Sequence, residues 1–208
     1  MKQQLNIDTW NRKAHYELFS QFEEPFHSVC VNIDCTAAYR FAKSNSLSFY
    51  LYYLYQSLAA VQQIEPFKYR IENGNVYIYE TINASTTVGR ADGTFGFGYF
   101  DFHPTLQAFM DEAQKQTELV QSSTGLVLSD RTDFVRFSAL PWINFTSLSH
   151  ARMYAARSSE PMISFGKMTE QNGLKLMPLS IHVHHGLVDG LHVGQYIDCF
   201  QQLMNQQA

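Results

Sequence analysis

The chain has 208 residues and 23.9 kDa, with 15 Lys+Arg against 19 Asp+Glu, a net charge of −4 and a pI near 6.0. That balance excludes the basic footprint of a nucleic-acid binder. With 45% hydrophobic and only 16% charged residues it excludes disorder and coiled coil, and a chain this long buries about 70% of its unfolded surface.

Three cysteines (Cys30, Cys35, Cys199) with no CxxC spacing imply neither a disulfide framework nor a zinc ribbon. The N-terminal MKQQLNIDTWNRK lacks the apolar core of a signal peptide, and the apolar run Leu47–Val61 is interrupted by Ser48, Gln56 and Ser57. The expectation is a soluble, cytoplasmic protein of one domain spanning residues 1–208.

Asp8 or Thr9 is expected to cap a short helix running to Phe19. From Phe26 the period changes to two, with Val29, Val31 and Ile33 on one strand face. A helix follows Asp34 or Thr36. Another runs from Ser48 to about Gln63, apolar nearly all round and therefore buried. Phe67–Ile71 and Val76–Tyr79 flank Glu72-Asn73-Gly74-Asn75, a hairpin signal because Asn-Gly tolerates positive φ. Strands are expected at Thr86–Val88 and Phe95–Phe100, then a helix opened by Pro104 and ending near Val120. Further strands fall at Phe134–Ala139, Met162–Met168 and Leu174–His184, and a last helix runs from Asp189 to about Met204. Strands and helices mix without strict βαβ alternation. The expected fold is α/β: a two-layer mixed β-sheet with helices packed on one side.

Four of the eight histidines lie between His182 and His192, in SIHVHHGLVDGLHV. A strand delivers His184 and His185 to its end, Gly186 opens a turn, and Asp189-Gly190 starts a helix. A histidine so placed, facing a cleft, is suited to general-base chemistry near neutral pH, and Asp189 can cap the helix or pair with a cation. A second reading stays open at this point. His182 and His184 project from one strand face and could hold zinc in a hydrolase, although no third ligand stands out. A non-catalytic binding or scaffold protein is the third.

His184-His185-Gly-Leu-Val-Asp189-Gly190 resembles the HHxxxDG signature of CoA-dependent acyltransferases. Three further segments narrow the resemblance to the trimeric chloramphenicol acetyltransferases: Trp10-Asn-Arg12-Lys-Ala-His15-Tyr, Phe137-Ser138-Ala-Leu-Pro-Trp142-Ile-Asn-Phe145, and Pro161-Met-Ile-Ser164-Phe-Gly-Lys167. The likeness covers essentially the whole chain. It implies an acetyl-CoA-dependent O-acetyltransferase without a metal, acting on a hydroxyl of chloramphenicol or of another, more polar small alcohol. It implies a homotrimer with active sites between subunits and no nucleic-acid or membrane partner.

By this resemblance His185 is the general base and Ser138 of the neighbouring chain donates to the oxyanion. Asp189 pairs with Arg12, and Ser164 stands where the family carries a threonine near the intermediate. Tyr50, Trp142 and Lys167 line the CoA tunnel. The acceptor pocket consists of Phe19, Glu23, Phe95, Leu148, His150, Arg152 and Met162, with Glu23 and Arg152 able to neutralise one another at its mouth. Glu23, His150 and Arg152 stand where the family has apolar residues. Ser48 replaces a family lysine and Met168 an adenine-stacking aromatic.

Overall fold

The computed structural model describes residues 1–152 and 158–206. Among these residues five helices, α1 (Lys13–Phe19), α2 (Thr36–Ser44), α3 (Phe49–Gln63), α4 (Leu106–Ser122) and α5 (Gly190–Asn205), accompany ten strands. The strands are β1 (Lys2–Gln4), β2 (Phe26–Asp34), β3 (Tyr69–Glu72), β4 (Asn75–Tyr79), β5 (Asn83–Gly89), β6 (Phe95–Phe100), β7 (Phe134–Ala139), β8 (Met162–Phe165), β9 (Thr169–Gln171) and β10 (Leu174–His184). The main sheet runs β2-β10-β8-β7-β5-β6, with β9 beside β10; a small sheet runs β1-β4-β3. Within the main sheet β5–β7 and β7–β8 are parallel and the other pairs antiparallel. This is the expected mixed sheet.

Period-two alternation assigns its two faces. Phe137, Ile163 and Ile181 are cross-strand neighbours, buried in one hydrophobic core with Tyr52, Leu54, Leu58, Tyr196 and Phe200 of α3 and α5. The opposite face carries polar side chains in register: Ser138 opposite Ser164, Ser164 opposite Ser180, and Ser180 opposite Cys30.

Several boundaries differ from the sequence reading for local reasons. The first helix does not begin at Asp8 or Thr9. The Asn6 side chain accepts from the Asp8 N–H and caps a 3-10 turn over Ile7–Thr9, Trp10 is extended, and α1 starts at Lys13. Phe67 lies in a 3-10 turn, so β3 starts at Tyr69. The expected strand Met162–Met168 stops at Phe165, and past it the chain turns to the loop after β7: the Lys167 N–H donates to the Ile143 carbonyl at 2.7 Å, and at Gly166 a Cβ would meet that carbonyl and the Phe145 ring, both at 2.9 Å. β1 had no signal in the sequence beyond three polar residues. It exists because β4 offers it an edge. The hairpin turn is as expected, with φ of 51° at Asn73 and 79° at Gly74.

Arg70 ties the two sheets. Fully buried, it donates to the carbonyls of Phe67, Tyr69, Thr132 and Phe134 at 2.6–2.9 Å.

Candidate active site

β10 delivers His184 and His185 to one end of the sheet, where the strand ends in a turn that leads to α5. The two rings part. His184 turns to the polar face, edge-on to Phe26 at 5.6 Å, and its Nδ1 accepts from the Gly186 N–H. The His185 ring stacks on Phe19 with centroids 4.0 Å apart and planes 4° from parallel, and His27 lies 4.4 Å away on a tilt. His185 Nδ1 is buried and has no hydrogen-bond partner among the described residues.

The backbone around this histidine is held from both sides. The His185 N–H donates to the Pro25 carbonyl at 2.8 Å, and Arg12 Nη2 donates to the His185 carbonyl at 3.2 Å. Arg12 Nη1 reaches Asp189 Oδ2 at 2.6 Å across 177 positions of sequence. Asp189 also caps α5, accepting from the Leu191 N–H, while its own N–H donates to His192 Nδ1. Burial works to raise the Asp189 carboxyl, but the Arg12 hydrogen bond and the neighbouring charges hold it below its ordinary value. One guanidinium thus fixes the strand end to the helix start.

Glu23 and Arg152 lie in the same region, lining a cleft of about 1,140 Å³ with His184. They do not pair. Arg152 bonds to Glu24, the next carboxylate, with its guanidinium 3.5 Å above the Phe26 ring. Glu24, Phe26 and His27 were missed as site residues. Carrying the period of Val29 and Val31 back two positions would have put His27 on the face of Val183, beside His185.

His150, Ser164 and Met162 sit farther along the polar face. Ser164 is fully buried with its hydroxyl 3.3 Å from His150 Nε2, and His150 lies edge-on to His182 at 4.6 Å. Met162 is buried opposite His182. Leu148 is half-buried in the same incoming segment. Burial pushes His182 and His184 down to about 4 and also lowers His150. These are neutral imidazoles at physiological pH. His182 is engaged with Ser180 at 3.0 Å, and no cluster of three or more metal-ligating residues exists among the described residues.

Ser138, Trp142, Lys167, Phe95 and Tyr50 gather at the other end. Ser138 is near the end of β7, and Trp142 (80% exposed) and Lys167 follow β7 and β8, joined by a bond from the Lys167 N–H to the Ile143 carbonyl. Phe95 is 46% exposed at the start of β6, level with this end through its pairing with Gly89. Tyr50 reaches the sheet through a 2.7 Å hydrogen bond to Thr86, and burial raises its phenol. Ser138 is level with Ser180, two strands away from β10, and His185 lies five positions farther on. At ~3.4 Å per residue and ~4.8 Å per strand, His185 and Ser138 of one chain are roughly 20 Å apart. They cannot touch one substrate.

The sheet order, the one-sided helix layer and a histidine held at the strand end define a CoA-dependent acyltransferase fold. The fold is shared with a probable dihydrolipoamide acetyltransferase from Listeria monocytogenes, at 13% identity, a TM-score of 0.67, and coverage of 94% of this chain and 90% of that one. A solved chloramphenicol acetyltransferase is much nearer, with a TM-score of 0.92 and 27% identity over 98% of this chain and 100% of its own. The chloramphenicol acetyltransferase of Proteus mirabilis is 27% identical over 97% of this chain and 94% of its length. The sequence profile of the chloramphenicol acetyltransferase family matches residues 2–201. The chain belongs to that family and is an acyltransferase, which replaces the hydrolase and scaffold readings. No described helix is long and apolar enough to cross a membrane.

Proposed function

We propose that the protein is a cytoplasmic, single-domain O-acetyltransferase that moves the acetyl group of acetyl-CoA to a hydroxyl of chloramphenicol. His185 Nε2 takes the hydroxyl proton as the oxygen attacks the thioester carbonyl. Ser138 donates to the resulting oxyanion, with Ser164 nearby. The C–S bond then breaks, and the departing thiolate recovers the proton from His185. Arg12 and Asp189 hold the strand end and transfer no proton. Tyr50, Trp142 and Lys167 flank the thioester co-substrate. An exposed indole and an exposed ammonium at one strand end suit an adenine ring and a phosphate.

The observation that carries this reading is the frame around His185: an imidazole stacked on Phe19, with its carbonyl and the following helix fixed by one arginine. The separation of His185 from Ser138 supports sites completed between copies in a homotrimer. The test is thiol release from acetyl-CoA in the presence of chloramphenicol. His185→Gln is expected to lower turnover 10²- to 10⁴-fold with the fold intact, the range of a positioned general base. Retention of more than about a tenth of wild-type turnover would move the base elsewhere.

A further inference from the structure

The ring of His185 lacks the usual means of being held. A catalytic imidazole is ordinarily oriented by a hydrogen bond at its second nitrogen, and His185 Nδ1 is buried without one among the described residues. The bonds to Pro25 and from Arg12 fix the His185 backbone and leave both side-chain torsions free. What meets the imidazole is two other rings. Phe19 stacks on it at 4.0 Å, and His27 lies 4.4 Å away with the planes at 43°.

His27 is itself anchored. It is the second residue of β2, opposite Val183 of β10, and its Nε2 lies 3.3 Å from the Val188 carbonyl. A carbonyl only accepts, so Nε2 carries a hydrogen and donates it. That bond joins β2 to the turn between β10 and α5, one residue before Asp189. The ring that touches His185 is thereby tied to the turn that the Arg12–Asp189 pair also fixes.

The titratable groups around His27 are His185, His182 of β10 and Asp189 at the start of α5, with Arg12 engaged by Asp189. Burial lowers the proton affinity of His27 and charge on His185 lowers it further, while the Val188 bond and Asp189 oppose. Two imidazoles in ring contact repel when both are charged, so a proton on His185 keeps His27 neutral.

We propose that His27 is a positioning residue for acetyl transfer: its ring, anchored on the Val188 carbonyl, fixes the rotation of the His185 imidazole and stays uncharged when that imidazole takes the hydroxyl proton. The proposal rests on the acyltransferase reading of His185. His27 transfers no proton and acts by aiming His185. Aim matters, because a misplacement of about 1 Å can cost ~10²-fold in rate.

The experiment follows thiol release from acetyl-CoA with chloramphenicol between about pH 5 and 9. It compares the full chain with His27→Ala, His27→Gln and His27→Phe, each checked for folding by chemical denaturation. His27→Ala is expected to lower kcat by about 10- to 100-fold, with KM for both substrates within about twofold of wild type. His27→Phe restores a ring without a titratable group and should bring kcat to within about fivefold of wild type, the remaining deficit reflecting the lost Val188 bond. His27→Gln restores only a donor to Val188 and should not recover. The acid limb of kcat should follow a single proton in wild type and in His27→Phe alike. If His27→Ala does not fold, the contrast between the Phe and Gln variants decides. Unchanged kcat in His27→Ala, a loss confined to KM, or a Gln variant as active as the Phe variant overturns this inference and leaves the acyltransferase reading standing. So does a two-proton acid limb in wild type that becomes one-proton in His27→Phe. A folded His185→Gln variant as active as wild type overturns both.

Discussion

Ser138 has a test that separates binding from catalysis. Its hydroxyl is assigned to a charge that exists only after attack on the thioester, so its contribution should appear in the transition state. Ser138→Ala is therefore expected to lower kcat by about 10²-fold or more with little change in KM for either substrate. A loss confined to KM would make Ser138 a binding residue. Its side chain also needs no local partner to be useful, since the charge it serves arrives with the substrate. His185 differs in this respect: Phe19 packs on its face, and its backbone is bonded at both N–H and carbonyl.

At the level of elements, two features of β10 and α5 control stability. Asp189 follows the end of β10 and starts α5, and Arg12 is, among the described residues, its one cation of fixed charge, with an Arg12 side chain only 10% exposed. Asp189→Asn leaves that guanidinium without a counter-charge. It should cost on the order of 2–4 kcal/mol and reduce activity together with stability, read by chemical denaturation and turnover on one preparation. Unchanged stability would show that the pair only shapes the site.

The second feature is the row of neutral imidazoles on β10. His182 and His184 are held at about 4 when folded, first by burial and then by neighbouring positive charge (His150 and Arg152 at His182, Arg152 at His184), with Glu24 opposing, against an ordinary value of 6.5. The unfolded chain therefore binds more protons between these values, so stability is full above pH 6.5 and is lost as pH falls toward 4. Each can contribute up to about 3 kcal/mol. Thermal melts from pH 7 to 4.5 should show a falling Tm, with a shallower slope in His182→Gln, which keeps a hydrogen bond to Ser180. A Tm flat across that range would contradict the burial of these rings.

For the whole molecule the decisive fact is the separation of His185 from Ser138. If copies complete one another's sites, two inactive variants should rescue each other. Co-expressed His185→Gln and Ser138→Ala chains would form mixed oligomers in which some interfaces carry both intact groups. A recovery of roughly a tenth or more of wild-type turnover is expected from such mixtures, and none from either variant alone. Absence of rescue in mixed oligomers verified by mass spectrometry would place the whole site within one chain. The geometry of β7 and β10 then could not be the catalytic one.

Much of this arrangement is legible in the amino-acid order because it is local. Alternation in β2 and β10, the all-round apolar α3, the Asn73-Gly74 turn and the Asp189 cap each follow from residues within a few positions. The motif around His185 also points to its chemistry without any coordinates. What the order of residues could not decide is who meets whom at long range. It suggested Glu23 as the partner of Arg152, whereas the ion pair forms with Glu24, whose carboxylate also accepts from the Phe26 N–H at the start of β2. It gave no sign that Lys2–Gln4 would pair, since a free edge on β4 is a property of the folded sheet. It grouped the acceptor residues as one pocket; within one chain the sheet places Phe19, Glu23 and Arg152 at one end and Phe95 at the other, the end that carries Ser138. The reason is physical. Helix periods, caps and turns are set by neighbours in the chain, but side-chain partners across strands depend on register and strand order, which only tertiary packing fixes.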